Sequence, residues 1–278
     1  MSLPAFRFAP SPNGELHLGH AYSALLNASL AAQYDGRFLI RIEDIDTTRC
    51  TADLAARALA NLAWLGLAWE EPVRVQSRHM DDYDGMQKRL ADMGLLYPCF
   101  CTRKDIAADA AGNSRDPEGQ PLYPGTCRGL AASEIEDRIA QGIPHALRLD
   151  MKLALSRLAT LSSFVEQGKI VAADPAAWGD VVLVRKDIGT SYHIAVVTDD
   201  ALQGISHVVR GRDLYAATAI HRLLQELLGL PAPHYHHHDL IGDETGRKLS
   251  KSAGDTSLRA LRAQGVGAAD IRRALGFA

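Results

Sequence analysis

The first part of the chain alternates short apolar runs with stretches in which apolar residues recur every three or four positions. Residues 5–9 and 38–42 form apolar runs, and between them Ala21, Leu25 and Ala28 repeat at helical spacing. Runs of this length are typical of buried strands, and the spacing is typical of an amphipathic helix. Strand, helix and strand in this order predict a parallel α/β sheet, in which ligands bind beyond the carboxyl ends of the strands.

Two further helices follow, and then the composition of the chain changes. Apolar residues at helical spacing predict helices near 54–65 and 83–93. From about residue 99 to residue 175, glycine and proline are scattered among short strand-like pieces such as 146–149 and one predicted helix at 133–141. This change indicates an insertion or second domain rather than a continuation of the sheet.

Beyond the insertion, the apolar runs 181–184 and 194–197 again predict buried strands, and a helix is expected to end near Gly229. The predicted fold is therefore an α/β, Rossmann-type domain with a parallel sheet, split by the insertion. The chain then divides into a first half-domain at 1–98, the insertion at 99–175, a second half-domain at 176–240, and a loop with a helical segment at 241–278.

A turn rich in proline, asparagine and glycine follows the first strand, and His17, Gly19 and His20 stand where the first helix should begin. A helix start leaves backbone N–H groups unpaired and carries the positive end of the helix dipole, so it suits a polyphosphate. Gly19 has no side chain, so a flat base can lie on the backbone, while the histidines can donate hydrogen bonds to phosphate oxygens. Alone, a His-x-x-His sequence fits two surface histidines equally well.

A second candidate for phosphate chemistry lies near the other end, in the loop 246–252, which carries Lys248 and Lys251. Two lysines three residues apart can bring ammonium groups to a pyrophosphate and stabilise its oxygens as charge builds on them. Taken alone, a stretch of lysine and serine is more often a solvated loop. Taken together with the histidine pair, it predicts a nucleotide site.

An acidic cluster, residues 43–46, follows the second predicted strand directly. A solvated strand end is one explanation of this cluster. Because ligands bind at the carboxyl ends of parallel strands, the position favours a functional explanation. In that explanation Glu43 orients the amine of a substrate.

Three of the four cysteines, Cys99, Cys101 and Cys127, fall close together. Thiolates one residue apart can bind the same tetrahedral ion, and a loop that returns a third thiolate closes most of the site. Soft ligands of this kind favour zinc, although reduced, half-buried cysteines are also common. The spacing leaves the fourth ligand open among Tyr123, His145 and water.

The composition is that of an ordinary globular enzyme, with 47% hydrophobic and 23% charged residues. The formal net charge of -3 gives no global sign of a nucleic-acid partner, so an RNA surface would be a local patch. No apolar run approaches the ~20 residues of a membrane span, and the N-terminus lacks the pattern of a signal peptide, which predicts a cytoplasmic protein. Four cysteines without an export signal do not indicate a disulfide framework, and Cys50, apart from the others, is interpreted as structural.

Several of these motifs resemble those of one family. His-Leu-Gly-His at 17–20 and Lys-Leu-Ser-Lys-Ser at 248–252 resemble the HIGH and KMSKS signatures of class I aminoacyl-tRNA synthetases. The stretches similar to the glutamyl-tRNA synthetase catalytic domain cover nearly the whole chain: 7–20, 39–46 with Arg49, 65–67, 197–200, 209–214 and the Lys248 loop. Only a short segment follows Ser252, where those synthetases carry an anticodon-binding region. A chain of this kind with the cysteine insertion closely resembles the glutamyl-queuosine tRNA(Asp) synthetases.

The resemblance implies that the chain activates glutamate with ATP, without needing tRNA, and then esterifies it onto queuosine in the anticodon loop of tRNA(Asp). It also implies one structural zinc ion and Mg²⁺ accompanying ATP, and we expect a monomer with no membrane contact. Two alternatives remain. One is a truncated glutamyl-tRNA synthetase that charges a tRNA 3′ end, and the other is a non-catalytic paralogue that only binds glutamate.

The same resemblance implies the site residues. Those that hold glutamate are Arg7, Phe8, Ala9, Pro10, Ser11, Glu43, Tyr192 and Arg210. Those that bind ATP are His17, Gly19, His20 and Lys251, and those that act in catalysis are His17, His20, Lys248 and Lys251. Those that hold zinc are Cys99, Cys101, Tyr123 and Cys127. Arg7 and Arg210 are the natural guanidinium partners of the two glutamate carboxylates.

Tyr192 and two later segments also have simpler explanations. Tyr192 fits a core tyrosine on a strand. Histidines 236–238 can bind metal, but a strand end beside a pocket is the favoured explanation. The final segment either contacts RNA phosphates or forms a solvated helix face through Arg259, Arg262, Arg272 and Arg273.

Overall fold

The computed structural model describes residues 3–109, 114–160, 162–242 and 256–277. Lys248 and Lys251, and with them the predicted phosphate loop, lie outside the described residues. Within the described ranges, no helix is long and apolar enough to cross a lipid bilayer.

Strands and helices alternate along most of the chain. The strands are β1 (Ala5–Phe8), β2 (Arg37–Ile42), β3 (Glu70–Val75), β4 (Leu96–Cys99), β5 (Ala146–Leu149), β6 (Ser163–Glu166), β7 (Lys169–Ala172), β8 (Val182–Val184), β9 (His207–Gly211) and β10 (His234–His238). The helices are α1 (Leu18–Gln33), α2 (Ala52–Trp64), α3 (Met80–Asp92), α4 (Arg103–Asp109), α5 (Ala132–Ala140), α6 (Met151–Ser156), α7 (Tyr192–Leu202), α8 (Thr218–Leu227), α9 (Leu258–Ala263) and α10 (Ala268–Ala274). The predicted strands at 5–9 and 38–42 and the helices near 54–65, 83–93 and 133–141 are confirmed.

Seven strands form the main sheet in the order β3-β2-β1-β9-β10-β6-β7. All neighbouring pairs are parallel except β6 and β7, which are antiparallel. The N-terminal strand β1 therefore lies between β2 and β9, and the carboxyl ends of these three strands meet at one edge. The predicted α/β fold with a parallel sheet is confirmed, and this edge is where such a sheet binds ligands.

Helix α1 packs beside β1 because one of its sides carries small and apolar residues. Ala24 and Leu25 are buried in a cluster with Phe6 of β1. The buried amide of Asn27 donates a hydrogen bond of 3.0 Å to the carbonyl of Val209 in β9. Helix α1 is thus held against β1 and β9, two of the three strands whose ends form the ligand edge.

A second, antiparallel sheet contains three strands in the order β4-β5-β8. The strand predicted at 181–184 is confirmed as β8, but it pairs in this small sheet and not in the main one. In contrast, β6 and β7 fall within the predicted insertion at 99–175 and still pair with the main sheet through β10. The division of the chain at residues 98, 175 and 240 stays a prediction.

The prediction of a strand at 194–197 is wrong, because these residues lie in helix α7. The Ser191 side chain accepts a hydrogen bond from the N–H of Ile194 and so caps the helix start. Every residue from Ile194 to Asp200 is buried. No side of this part of the helix faces solvent, so residues 194–197 are all apolar and show no helical alternation of apolar and polar positions. A short apolar run of this kind does not distinguish a buried helix from a buried strand. Tyr192 is therefore the first residue of a helix, and not a core tyrosine on a strand.

Candidate functional site

A cavity of about 1140 Å³ opens at the carboxyl ends of β1, β2 and β9. It is lined by all the described residues that the family resemblance connects with glutamate or ATP: Arg7, Phe8, Ala9, Pro10, Ser11, His17, Gly19, His20, Glu43, Tyr192 and Arg210. Ile241 and Ser257, which lie on either side of the stretch that contains Lys248 and Lys251, line the same cavity. The structure thus brings these side chains together, and their roles toward a ligand stay predictions.

The two histidines at the start of α1 hold each other in place. His17 precedes the first turn, and its Nδ1 accepts a hydrogen bond of 3.1 Å from the N–H of Gly19. In return, Nδ1 of His20 accepts one of 3.2 Å from the N–H of His17. Because Nδ1 is the acceptor in both rings, the neutral rings carry their proton on Nε2. Both histidines line the cavity, and a neutral ring of this tautomer is a donor through Nε2.

Behind the cavity, Arg7 and Arg41 share the carboxylate of Asp200. Arg7 Nε donates to Asp200 Oδ1 over 3.0 Å, and Arg41 Nη1 donates to the same oxygen over 2.8 Å. Burial alone would raise the pKa of Asp200, but the two guanidinium groups outweigh it and hold this pKa below its ordinary value. Arg7, expected to bind a substrate carboxylate, therefore already faces a carboxylate of the chain.

Glu43 reaches the cavity from the residue after β2, with 13% of its side chain exposed. Its backbone N–H donates to the carbonyl of Pro10 over 3.0 Å, which joins the ends of β1 and β2. Its Oε1 accepts from Arg41 Nη2, also over 3.0 Å. Burial raises the pKa of Glu43, while Arg41 and Arg7 oppose this rise. A carboxylate in this position can accept a further hydrogen bond from an ammonium group.

Arg210, on β9, is 5% exposed and donates each of its N–H groups to an uncharged acceptor. The acceptors are His237 Nε2 at 3.1 Å, the Tyr192 hydroxyl at 3.2 Å, His221 Nδ1 at 3.2 Å, the Leu214 carbonyl at 3.1 Å and Thr218 Oγ1 at 2.8 Å. Among the described residues, no carboxylate forms an ion pair with Arg210. Its positive charge therefore stands at the cavity wall with no anion in direct contact from the part of the chain that the structure describes.

The histidines around Arg210 are uncharged. Burial and the positive charge of Arg210 lower the pKa of His193 and of His237 to about 4, and they lower the pKa of His221 well below its ordinary value. Nδ1 of His237 lies 2.7 Å from a carboxylate oxygen of Glu166. Residues 236–238 form the last part of β10, and His238 lines the cavity. The favoured explanation of this run, a strand end beside a pocket, is confirmed.

The cysteine cluster forms a separate site beside the small sheet. The Sγ atoms of Cys99, Cys101 and Cys127 lie within 4.8 Å of one another, and no ligand atom of His145 belongs to this group. The Tyr123 hydroxyl lies 3.9 Å from Cys101 Sγ and accepts a hydrogen bond from the N–H of Cys127. Burial raises the pKa of the Cys101 thiol to about 11, and a bound cation would reverse this preference because it stabilises the thiolate. The donor set fits a tetrahedral zinc ion, with Tyr123 favoured over His145 as the fourth ligand.

Arg41, Asp200 and His221 take part in the site, although no role was predicted for them. Arg41 lies inside the otherwise apolar run 38–42, and Asp200 lies three positions after the run 194–197 that was taken for a strand. A charged residue within a buried element needs a partner, so these positions carried a signal. His221 falls in the helical pattern of α8 and gave no such signal.

Comparisons with known proteins show which family the chain is similar to. The family model described as tRNA synthetases class I (E and Q), catalytic domain, matches residues 5–276. A protein of Rhodobacter capsulatus named Glutamyl-Q tRNA(Asp) synthetase is 46% identical over 98% of this chain and 99% of its own length. A protein of the same name from Symbiobacterium thermophilum is 40% identical over 94% of this chain and 81% of its own length.

Solved structures show the same likeness. A glutamate-tRNA synthetase from Elizabethkingia anophelis is 28% identical and superimposes with a TM-score of 0.75. That match covers 92% of this chain and 54% of the synthetase, so the chain spans about half of that protein. A methionyl-tRNA synthetase from Mycobacterium tuberculosis, 16% identical with a TM-score of 0.58, shares the fold.

Proposed function

The chain belongs to the class I tRNA synthetases of the glutamate and glutamine group, and from that premise we propose that it activates glutamate with ATP and transfers it to queuosine in the anticodon of tRNA(Asp). Activation needs no tRNA in this proposal. The reaction class is that of a ligase of the aminoacyl-tRNA synthetase type, which is also what the named relatives are called.

One observation carries the choice of glutamate. Glu43 and Arg210 line the same cavity, and Arg210 has no carboxylate partner among the described residues. An amino acid with an acidic side chain supplies the carboxylate that Arg210 lacks, and its ammonium group can donate to Glu43, which keeps its ion pair with Arg41. Glutamine would leave the charge of Arg210 unmatched in a buried position, which is costly.

The activation step transfers the adenylyl group. The α-carboxylate oxygen of glutamate attacks the α-phosphorus of ATP, a carboxylate-phosphorus bond forms, and pyrophosphate leaves. A carboxylate is ionised at neutral pH, so no general base is required. Catalysis then rests on alignment and on stabilising the charge of the phosphate oxygens.

The groups proposed to act on the phosphates are His17 and His20 through Nε2, with Lys248 and Lys251 from the stretch that the sequence predicts to be a loop. The support for the lysines is that Ile241 and Ser257, on either side of this loop, both line the cavity. Mg²⁺, which accompanies ATP, would supply further positive charge to the phosphates.

In the second step a hydroxyl of the queuosine ring attacks the carbonyl carbon of glutamyl-adenylate, an ester forms, and AMP leaves. This choice of acceptor rests on the names of the relatives, above all that of the Rhodobacter capsulatus protein. An unpaired base of the anticodon loop can enter a cleft of this size as a single-stranded element.

We propose in addition that Cys99, Cys101, Tyr123 and Cys127 hold one zinc ion. The support is the cluster of three thiols within 4.8 Å and the nearby tyrosine hydroxyl. When bound, the ion supplies a cross-link between the end of β4 and the loop that carries Tyr123 and Cys127, a structural role.

The first test is ATP–pyrophosphate exchange with glutamate, glutamine or aspartate, each with and without tRNA. The proposal expects exchange with glutamate alone, without tRNA. Binding of glutamate with no exchange would favour the non-catalytic alternative, and dependence on tRNA would contradict the activation step as proposed.

The second test identifies the acceptor with radiolabelled glutamate. The proposal expects transfer to queuosine-containing tRNA(Asp) even after its 3′-terminal adenosine has been removed, because the ester forms in the anticodon. Transfer to tRNA(Asp) that lacks queuosine, or to tRNA(Glu) only with an intact 3′ end, would instead indicate charging of a 3′ end.

A further inference from the structure

Arg7 and Arg210 differ in the charge of the groups that accept their hydrogen bonds. Arg7 forms an ion pair with Asp200. Arg210 is held by nitrogen and oxygen acceptors that carry no charge, two of which are the imidazoles of His221 and His237. Two guanidinium groups at one cavity therefore present different net charges to a ligand.

The protonation of both imidazoles follows from Arg210. A guanidinium has only donors, so His237 Nε2 and His221 Nδ1 must be unprotonated acceptors. His237 then carries its proton on Nδ1 and donates it to Glu166 over 2.7 Å. His221 carries its proton on Nε2 and donates it to His193 Nδ1 over 3.3 Å. Both rings are neutral while they hold Arg210.

These acceptors lie behind Arg210 as seen from the cavity. Arg210, Tyr192 and Leu214 line the cavity, whereas His221, His237 and Thr218 are not among its lining residues. Both histidines are nearly inaccessible, with exposures of 2% and 1%. They therefore act on a ligand only through Arg210. The carboxylate of Glu166 lies one side chain further back, beyond His237.

We propose that His221 and His237 are positioning residues that hold the Arg210 guanidinium through uncharged acceptors and so leave its positive charge to the side-chain carboxylate of the substrate. This inference rests on the proposed function, because it deepens the account of the same glutamate site. A carboxylate in place of either imidazole would hold Arg210 equally well and would neutralise it. Neutral acceptors orient the guanidinium group without neutralising its charge.

The test compares His221→Asn with His221→Asp, two side chains of nearly equal size. The asparagine oxygen can replace Nδ1 as a neutral acceptor, and the aspartate oxygen can replace it as a charged one. Glutamate affinity is measured by isothermal titration, and KM and kcat by ATP–pyrophosphate exchange, on the full chain. His207→Phe is the control, because His207 lies on the same strand β9, three positions before Arg210, and stacks on Phe6.

The expected result is a loss of glutamate affinity of about a hundredfold for His221→Asp and of less than about fivefold for His221→Asn. The KM for ATP should stay unchanged in both, and His207→Phe should bind glutamate like the parent. If His221 had a purely structural role, both variants would lose glutamate affinity to the same extent. Equal losses of affinity would therefore overturn the inference. If either protein does not fold by circular dichroism, His237→Gln and His237→Glu make the same comparison at the second histidine.

The proposed function and this inference fail in different ways. If the parent binds glutamate but catalyses no exchange, the proposed function is overturned and the titrations of the position 221 pair still decide the inference. If the parent binds glutamate no better than glutamine, both are overturned. If the parent is active and the variants His221→Asn and His221→Asp have the same glutamate affinity, only the inference is overturned.

Discussion

Replacing Asp200 with asparagine removes a negative charge from between two buried guanidinium groups. The side chains of Arg7 and Asp200 are 4% and 7% exposed, and that of Arg41 is 0% exposed. Arginine does not lose its proton in a protein, so both cations remain after the change. Removing one partner of a buried ion pair typically costs about 3–5 kcal/mol of unfolding free energy, because the remaining charge is left without compensation. Arg41 keeps ion pairs with Glu43 and Asp199, whereas Arg7 has no second ion pair among the described residues. The uncompensated charge is therefore that of Arg7, and we expect a loss in this range for Asp200→Asn.

The chain contains a matched control on the same sheet. Arg37 and Glu70 form a bidentate pair with both N–O distances at 2.6 Å, shorter than those at Asp200. Their side chains are 36% and 43% exposed, so water screens the pair and solvates either partner alone. Exposed pairs contribute about 0–1 kcal/mol. The same carboxylate-to-amide change, Glu70→Gln, should therefore cost no more than that.

The measurement is urea unfolding at pH 7, followed by circular dichroism and by tryptophan fluorescence. The midpoint should fall clearly for Asp200→Asn and hardly for Glu70→Gln, with similar slopes in the parent and both variants. If the two variants lose equal stability, or if Asp200→Asn loses less than about 1 kcal/mol, the argument from burial is refuted.

The pH dependence of the same pair gives an independent check. The pKa of Asp200 is held below its ordinary value in the folded protein. Its contribution to stability is therefore present above the pKa of the unfolded chain, about 3.9, and is lost as the pH falls through the folded value. The difference in stability between parent and Asp200→Asn should shrink below about pH 4. A difference that stays constant into acid would contradict the ionised carboxylate.

Three further predictions follow from the site. Lys251→Ala should slow adenylate formation, measured by ATP–pyrophosphate exchange, far more than it weakens glutamate binding in a titration, and equal losses would argue against its action on phosphate. Cys101→Ser should lower the zinc content from one ion per chain, measured by atomic absorption, and should lower the melting temperature, whereas Cys50→Ser should keep the metal. Because the folded pKa of His193 is about 4 and an unfolded histidine titrates near about 6.5, the unfolding free energy should fall as the pH drops between these values. Urea unfolding at pH 7 and pH 5 measures that slope, which a His193→Asn variant should reduce; an unchanged slope would contradict the assignment.

Local patterns in the sequence predicted the parts of the fold that depend on local chemistry. Strands β1 and β2 and helix α1 follow from apolar runs and a clear helical spacing, and the histidines at the start of α1 were placed correctly. Residues 194–197 of α7 were taken for a strand because this part of the helix is entirely buried and carries no polar stripe. Strands β6 and β7 were assigned to the insertion because nothing local indicates which sheet a short strand will join.

The residues that line the site were predicted from the sequence, but the partners with which they form ion pairs and hydrogen bonds were not. Arg7, Glu43 and Arg210 all line the cavity, as the resemblance implied. That Arg7 pairs with Asp200, which is 193 positions away, follows only from the order of strands and the position of α7. The contacts of Arg210 with His221 and His237 likewise join β9 to α8 and β10. A single sequence identifies a buried charge but does not choose its partner.

The position of β1 in the middle of the sheet has a consequence for synthesis on the ribosome. Its inner neighbour is β9, and the N–H of Ala5 bonds to Ser206, which is 201 positions later. One edge of the first strand therefore stays open while most of the polypeptide is translated, and the amino-acid pocket cannot form until Arg210 has emerged. During that interval the nascent chain exposes an apolar strand edge that can pair with other chains. We expect efficient production of this protein to depend on chaperones that bind the nascent N-terminal half.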